Sequence, residues 1–326
     1  MAKQPTASPI NDVGSLDVIE GAPPAPQATG GPAQNWPHRA LYDRVMQALF
    51  ALPARFRTKL MIAGVSATDL FTLNTPLGAA IEVNVVEALN DLRPLWDPEA
   101  EYSDYNFVRH AQAFPDVRLE KASPSADGAV LFGIELKGWF LLGKEGEPSF
   151  RYKISPNACA AADLLAVFPW VLDEVTSGTP KLLKPFVTEA RYAAEHRNYY
   201  WQYGRKGAAD ANRDIHLSQH AAPYPNKADK ANDEAAKDSG NFGRVARGGF
   251  MTNFAKDLLE DPIAGIPAKY WQSFLKIFAE GAQDQSIERK LNIIRKQITT
   301  SDWAKDHEQE AVTFMNSLEV LLRNLR

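Results

Sequence analysis

One apolar stretch, residues 130–142, limits what this chain can fold into more than any other segment. It reads VLFGIELKGWFLL, and the charged residues within it are Glu135 and Lys137. An apolar run of this kind favours a buried strand, on which side chains two residues apart point to the same face. Glu135 and Lys137 are therefore predicted to project together, while Ile134 and Leu136 face the other way. A charged pair is costly to bury without partners. A structural ion pair is one explanation of its presence here, and a functional site is the better one.

A further acidic residue stands shortly before this run. Asp116 follows Pro115 in the segment FPDVRLEKAS, which also has strand character, and a polar turn separates it from the apolar run. If the two strands are neighbours, Asp116 meets Glu135 and Lys137. Two carboxylates suit Mg²⁺, a hard cation that prefers oxygen ligands, and a lysine beside them can orient or activate water for phosphodiester hydrolysis. The sequence thus predicts three catalytic residues, Asp116, Glu135 and Lys137, with Mg²⁺ as the cofactor.

The set Pro115, Asp116, Glu135 and Lys137 resembles the motif of the PD-(D/E)xK nuclease superfamily, which includes many type II restriction endonucleases. The resemblance covers a small part of the chain. It implies that Asp116 and Glu135 bind the metal, that the main-chain carbonyl of Leu136 adds a ligand, and that Lys137 serves the nucleophilic water. It also implies that Mn²⁺ can substitute for Mg²⁺.

A helix predicted just before these strands carries another acidic candidate. Thr75 and Pro76 form a helix start signal. The apolar residues that then fall on one helical face are Leu77, Ile81, Val85, Ala88 and Leu92. Glu82 lies at the edge of this face. The resemblance implies that a glutamate from such a helix can join the metal site, and the alternative is a boundary carboxylate that touches solvent.

Composition excludes several other classes of protein. The net charge is −4, so the chain is not a basic nucleic-acid coat, although a nuclease needs basic residues only along one cleft. Cys159 is the single cysteine, which excludes an internal disulfide and a cysteine-based zinc cage and fits a reducing cytoplasm. No apolar run approaches the roughly 20 residues of a membrane span. We therefore expect a cytoplasmic protein without a membrane partner.

Turn residues between apolar runs predict antiparallel neighbouring strands after the helix that carries Glu82. The predicted strands lie in residues 106–123, 129–143, 149–155 and 163–172. The continuous apolar character of the last indicates burial on both faces, and a second helix is predicted over residues 186–203. This order predicts an α/β fold. The resemblance implies a restriction-endonuclease-like α/β/α sandwich with a mixed central sheet and additional C-terminal helices.

Four segments differ in composition and are predicted to differ in role. Residues 1–35 are dense in Pro, Ala and Gly and predict a disordered tail. Residues 36–203 are expected to form the nuclease core, which begins with N-terminal helices that include a short helix over residues 54–64. Residues 204–249 predict a long polar loop, and residues 250–326 predict a helical region.

Four arginines are candidates for DNA contact. Arg191 and Arg197 lie in the predicted helix over residues 186–203, and Arg244 and Arg247 lie at the glycine-punctuated end of the polar loop. Arginine binds phosphate or guanine through two parallel hydrogen bonds. The alternatives are core packing with a solvated polar stripe for the helix, and a solvated linker for the loop.

These features predict a Mg²⁺-dependent DNA endonuclease, most similar to a type II restriction enzyme of a restriction-modification or phage-defence system. Double-stranded DNA is the expected partner, and the large amount of chain around the core suits specific recognition. The apolar stripes of the C-terminal helices leave room for a homodimer without requiring one. The alternative is a non-catalytic DNA-binding or scaffold protein on the same fold, which would not need all three site residues.

Overall fold

The structure is a computed structural model. It describes residues 18–64, 70, 74–122, 130–143, 148, 150–205, 213–218, 222–226, 228–237, 240–279 and 284–325. The description excludes the side chains of residues 74–76, 79, 247, 278, 279, 284–286 and 321–325.

The described residues form nine helices and a central sheet. The helices are α1 (Arg39–Arg55), α2 (Asn74–Asp91), α3 (Arg93–Trp96), α4 (Ala190–Tyr199), α5 (Thr252–Glu260), α6 (Ala268–Ala279), α7 (Asp284–Thr299), α8 (Asp302–Asp306) and α9 (Glu308–Leu325). The apolar residues predicted on one face of α2 are buried. Helix α2 packs against the central sheet and against α1, so its helical periodicity explains how it covers the sheet.

The central sheet is mixed, as predicted, and six strands form it within the described residues. They are β1 (Tyr105–Arg109), β2 (Val117–Lys121), β3 (Val130–Phe140), β4 (Leu164–Leu172), β5 (Pro180–Leu182) and β6 (Phe186–Glu189). Strands β1, β2 and β3 are consecutive antiparallel neighbours, and β4 runs parallel to β3. Strands β5 and β6 pair with different parts of β4. Every residue of β4 is buried, and β4 lies inside the sheet, with β3 along one edge and β5 and β6 along the other.

Three local predictions were wrong. Residues 56–61 of the short helix predicted over 54–64 are not helical, and Ile62 forms an isolated bridge with Gly178. The described part of the strand predicted over 149–155 contributes only an isolated bridge, between Ile154 and Asn232. The helix predicted from residue 186 begins at Ala190, since the preceding four residues form β6 and hydrogen bond to β4.

The predicted disordered tail is ordered where the structure describes it, from residue 18 onward. The Glu189 carboxylate accepts hydrogen bonds from the main-chain N–H groups of Thr29, Gly30 and Gly31, at 2.7–3.2 Å, and from the Thr29 hydroxyl at 2.7 Å. Tyr199 also donates to the Pro23 carbonyl at 2.9 Å. These bonds to the core offset the ordering entropy that composition alone left without compensation.

The polar segment 204–249 is more structured than predicted, and the C-terminal region is helical as expected. Within the polar segment, the short strands β7 (Ile215–His216) and β8 (Glu234–Ala235) pair with each other. In the C-terminal region, β9 (Pro262–Ile263) pairs with β10 (Ile266–Pro267). Single turns are present at Tyr200–Gly204, which is π-helical, and at Val245–Gly248, which is 3-10 helical. None of the described helices combines the length and apolar character that a membrane crossing requires.

Candidate active site

Strand register brings Asp116 next to the charged pair of β3. Val117, the first residue of β2, is opposite Ile134, so Asp116 lies where the chain enters β2, beside Glu135. The main-chain N–H of Leu136 donates a hydrogen bond to Asp116 Oδ2 at 3.0 Å. This bond fixes the carboxylate of Asp116 against the strand that carries Glu135 and Lys137.

Glu135 and Lys137 project together from β3. Lys137 Nζ donates to Glu135 Oε1 at 2.6 Å and lies 3.8 Å from Asp116 Oδ2. The three side chains are between 12% and 20% exposed, so the cluster is largely but not fully removed from water. The structure therefore brings the three predicted catalytic side chains into one small volume.

The cluster places two carboxyl groups around one ammonium. Burial and, next, the neighbouring Glu135 carboxylate raise the pKa of Asp116 to about 8, against the opposing effect of Lys137. For Lys137, burial lowers the pKa, but attraction to Glu135 and Asp116 outweighs burial and leaves the pKa above its ordinary value. Lys137 is thus an ammonium at neutral pH, and a further cation at the carboxylates would relieve their mutual repulsion.

One atom of the cluster has no hydrogen-bond partner among the described residues. This atom, Glu135 Oε2, is buried, and burial without a partner is costly for a carboxylate oxygen. Within the described residues, no group of three or more His, Cys, Asp or Glu side chains is arranged to hold a metal ion. Mg²⁺, however, commonly uses one or two carboxylates and completes its shell with water and substrate phosphates. The donors present fit such an ion, with Asp116 and Glu135 as the carboxylates.

Glu82, the additional candidate on α2, lies near the cluster but has its own partner. Arg109 Nη2 donates to Glu82 Oε2 at 3.1 Å. The charge of Glu82 nevertheless contributes to the raised pKa values of Asp116 and Lys137. Its position is compatible with both alternatives, a fourth member of the site and a boundary carboxylate paired with arginine.

Two residues that the sequence did not identify, Asp163 and Tyr224, are connected by hydrogen bonds to the strand that carries Glu135 and Lys137. Asp163 accepts hydrogen bonds from the N–H groups of Gly133 and Ala160, both at 2.7 Å, and from the Tyr224 hydroxyl at 3.0 Å. Burial raises the pKa of Asp163 to about 6, although these hydrogen bonds oppose the rise. Asp163 thereby connects β3 to the segment around Tyr224. An aspartate directly before an apolar strand was the available signal, but its partners are distant in sequence.

A cleft of about 400 Å³ opens beside Glu135. Arg151 and Lys153 contribute cationic side chains to its lining, Glu135 and Asp229 contribute carboxyl groups, and Asn226 and Asn232 contribute amides. Because residues 149–155 are predicted to form a strand of the sheet, the sequence did not identify Arg151 and Lys153 as residues of the cleft. The available signal was the alternation of basic residues in the segment SFRYKIS, because alternate side chains of extended chain face the same way.

The four arginines predicted to contact DNA have different surroundings. Arg197 is only 2% exposed, donates to the Tyr152 and Ile154 carbonyls at 2.8 Å, and pairs with Asp233 at 2.6 Å. Its predicted DNA contact is incompatible with this burial. Arg191 is exposed and donates to the Cys159 carbonyl at 2.6 Å.

The remaining two arginines belong to the end of the polar segment. Arg244 lines a second, smaller cavity. The side chain of Arg247 lies outside the described part of the chain. Neither observation tests the prediction that these two residues contact DNA.

Comparisons of this chain with family models, with curated proteins and with solved structures find no match.

Proposed function

We propose that this chain is a Mg²⁺-dependent DNA endonuclease on a restriction-endonuclease-like α/β/α sandwich. The observation that carries the proposal is the meeting of Asp116, Glu135 and Lys137 around a buried carboxylate oxygen that has no hydrogen-bond partner in the part of the chain that the structure describes. The two carboxylates and the Leu136 carbonyl would hold the ion, with Glu82 as an additional ligand. Mg²⁺ bound there would polarise a phosphate oxygen and lower the pKa of a water molecule.

The protonation state of Lys137 defines its part in the reaction. Because two carboxylates keep its pKa high, Lys137 acts as a charged donor and not as a base. Its Nζ orients the attacking water in line with the scissile phosphorus and stabilises the negative charge that develops on the phosphate oxygens. Leu136 supports this geometry, since its N–H holds Asp116 in place.

The cleft beside Glu135 supports a polyanionic substrate. Arg151 and Lys153 are suited to backbone phosphates, and the amides of Asn226 and Asn232 are suited to base edges. The proposed substrate is therefore double-stranded DNA, and the proposed role is that of a cytoplasmic, sequence-specific restriction enzyme. A homodimer is one way for such an enzyme to cut both strands. The proposed sequence specificity rests on the family resemblance.

A non-catalytic DNA-binding protein on the same fold is the second candidate. The observation that favours it is the 2.6 Å bond between Lys137 Nζ and Glu135 Oε1, which a purely structural ion pair would also form. Such a pair has no need of a metal ion. Binding of Mg²⁺ or Mn²⁺ that depends on Asp116 therefore distinguishes the two candidates.

The test is cleavage of unmethylated plasmid and phage DNA by the purified protein with Mg²⁺. Lys137→Ala is expected to lower the rate by about 10²-fold or more, since it removes the charged donor. The matched control is Lys290→Ala, because Glu288-Arg289-Lys290 repeats the Glu-x-Lys spacing on helix α7. Discrete bands from the wild type and the control, lost in Lys137→Ala, support the proposal. A smear contradicts sequence specificity alone, and intact DNA with every metal tested contradicts the nuclease.

A further inference from the structure

The cleft beside Glu135 is lined by segments that are distant in the chain. Residues 112–114, between β1 and β2, form a first lining segment, and residues 225–226 form a second lining segment. Because neither segment belongs to a strand of the central sheet, pairing within the sheet does not fix where they lie relative to each other. Side-chain contacts that join them therefore determine the shape of the cleft.

Tyr224, directly before the second lining segment, is bonded to the core of the protein. Its hydroxyl donates to Asp163 Oδ1 at 3.0 Å, and Asp163 is only 1% exposed. The same oxygen accepts from the N–H of Gly133 at 2.7 Å, on the strand that carries Glu135. The hydroxyl of Tyr224 thus connects the second lining segment to β3.

Arg118, on β2, connects the ring of Tyr224 to the first lining segment. Its guanidinium carbon lies 5.2 Å from the centroid of the Tyr224 ring, a distance at which a cation is attracted to an aromatic face. Arg118 Nη2 also donates to the carbonyl of Phe114 at 2.8 Å, and Phe114 belongs to the first lining segment. Tyr224 is therefore in contact with groups that lead to both segments and to the sheet.

The backbone of Tyr224 has an unfavourable conformation. Its φ is +57°, in the left-handed region where a bulky side chain is uncommon. Such a conformation persists only where the surrounding contacts hold it, and residues of this kind cluster at active sites and ligand clamps. At Tyr224 the holding contacts include the hydrogen bond to Asp163 and the stacking with Arg118.

We infer that Tyr224 is a positioning residue that, through Asp163 and Arg118, holds the two lining segments of the cleft in one relative arrangement. A site whose segments are ordered before binding loses less conformational entropy when a ligand enters. If the cleft takes DNA, which rests on the proposed function, Tyr224 raises the affinity for the substrate and acts before the chemical step.

The arrangement of the cleft is tested without DNA or metal, by hydrogen–deuterium exchange of main-chain N–H groups. One reporter is the N–H of Ala113, which donates to the His110 carbonyl. The other is the N–H of Asn226, which donates to the Asp229 carboxylate. In Tyr224→Leu, exchange at both reporters is expected to be about fivefold faster, the change that corresponds to the loss of one typical hydrogen bond.

Two narrower variants separate the two contacts of Tyr224. Tyr224→Phe removes the hydroxyl and keeps the ring beside Arg118, so exchange is expected to increase more at Asn226 than at Ala113. Arg118→Met removes the guanidinium and keeps an apolar stem, so the reverse order is expected. In both variants the N–H groups of β4 are expected to exchange as in the wild type, which distinguishes local opening from a global loss of stability.

Tyr199→Phe is the matched control. It removes a tyrosine hydroxyl that donates to the Pro23 carbonyl at 2.9 Å, a bond to the N-terminal segment. Exchange at Ala113 and Asn226 is expected to be unchanged in this variant.

The effect on the substrate is measured as the rate of cleavage of unmethylated plasmid DNA with Mg²⁺. Tyr224→Leu is expected to raise KM about tenfold, because it removes binding that ground state and transition state share. The value of kcat is expected to stay within about twofold of the wild type, since Asp116 is held separately by the N–H of Leu136. Tyr224→Phe is expected to recover part of the lost affinity.

The outcomes separate this inference from the proposed function. Exchange in Tyr224→Leu that equals the wild type at Ala113 and Asn226 overturns the inference. Faster exchange at both reporters with an unchanged KM overturns the effect on substrate affinity. A wild type that does not cleave DNA contradicts the proposed function alone, because the exchange measurement contains neither DNA nor Mg²⁺.

Discussion

The ring of Pro115 occupies the space that a side chain on residue 133 would need. A β-carbon added to Gly133 would lie 2.2 Å from Pro115 Cγ, far inside van der Waals contact. Gly133 is two residues before Glu135 on β3, and Pro115 immediately precedes Asp116. The proline of the Pro-Asp pair thus packs directly on the strand that carries the other two site residues.

Gly133→Ala is expected to displace Pro115 and, with it, Asp116. Overpacking of a core typically costs about 1–3 kcal/mol, and displacement of Asp116 would weaken its bond to the Leu136 N–H. We expect a lower free energy of unfolding in urea and a weaker affinity for Mg²⁺. Gly138→Ala on the same strand is the control, because its added β-carbon meets the nearest atom at 3.5 Å. Similar losses in both variants would contradict the role of the Pro115 contact.

Asp116→Asn is expected to remove stabilisation by Mg²⁺ without loss of stability in the metal-free protein. Burial and Glu135 already disfavour the charged form of Asp116, and Lys137 keeps Glu135 as its partner. The wild type should gain about 3 kcal/mol at a Mg²⁺ concentration near 100 times Kd, and the variant should gain almost nothing. Thermal unfolding with and without Mg²⁺ measures both. If Mg²⁺ does not stabilise the wild type, the proposal that the site binds this metal is wrong.

The burial of His196 predicts that the protein loses stability in acid. Burial lowers its pKa to about 4, and neither ring nitrogen has a hydrogen-bond partner within the described ranges of the chain. Below pH 6.5 the unfolded chain binds a proton that the folded protein does not, so stability falls as the pH drops from about 6.5 to 4. The loss attributable to this residue is about 3 kcal/mol.

The pH effect of His196 is isolated by comparison with His196→Phe. Other groups titrate in the same range, including Asp163, so the informative quantity is the difference between the two unfolding curves as a function of pH. We expect the variant to lose less stability than the wild type between pH 6.5 and 4. Parallel curves would show that His196 is not the group responsible.

Arg197→Ala is expected to destabilise the protein by about 3–5 kcal/mol, because it leaves Asp233 buried without its partner. Arg191→Ala, at an exposed position of the same helix, is expected to cost less than 1 kcal/mol. Chemical denaturation of the two variants checks this contrast. Equal stabilities of the two variants would indicate that Arg197 is a surface residue that is free to contact DNA.

Removal of residues 1–31 is expected to destabilise the core strongly. The deletion takes away all four hydrogen bonds that Glu189 accepts from Thr29, Gly30 and Gly31. Glu189 is only 7% exposed, so its carboxylate would lose several charge-assisted bonds, each worth about 1.5–3 kcal/mol. Removal of residues 1–17 keeps these bonds and is the control. Thermal unfolding compares the two, and equal melting temperatures would mean that this contact adds no stability.

The elements that sequence predicted well are those whose signal is local. The period of apolar residues in α2 and the apolar runs of β3 and β4 are set by neighbours along the chain, so the helix face and the buried strands follow from spacing. The common projection of Glu135 and Lys137 has the same origin, because strand geometry places alternate residues on one face. The place of Asp116 in the predicted site depends on the resemblance and on its strand being adjacent to β3.

The errors concern segments whose state depends on distant partners. Residues 149–155 alternate like a strand, but their described part is held by Arg197 and by the Gly243 carbonyl instead of a sheet neighbour. Residues 186–189 continue a helical pattern, yet pairing with β4 makes them a strand. Tertiary hydrogen bonds overrode local preference in both cases.

The sequence by itself determined the two core strands, the face of α2 and the shared direction of Glu135 and Lys137, because each depends on a short-range period. Only the tertiary structure decided that Asp116 accepts a hydrogen bond from the Leu136 N–H and that Arg197 forms a buried ion pair with Asp233. The same is true of the hydrogen bonds between Glu189 and the N-terminal segment. Each of these contacts joins residues far apart in the chain. Which residues meet across such distances depends on the packing of the whole core, and no local pattern encodes it.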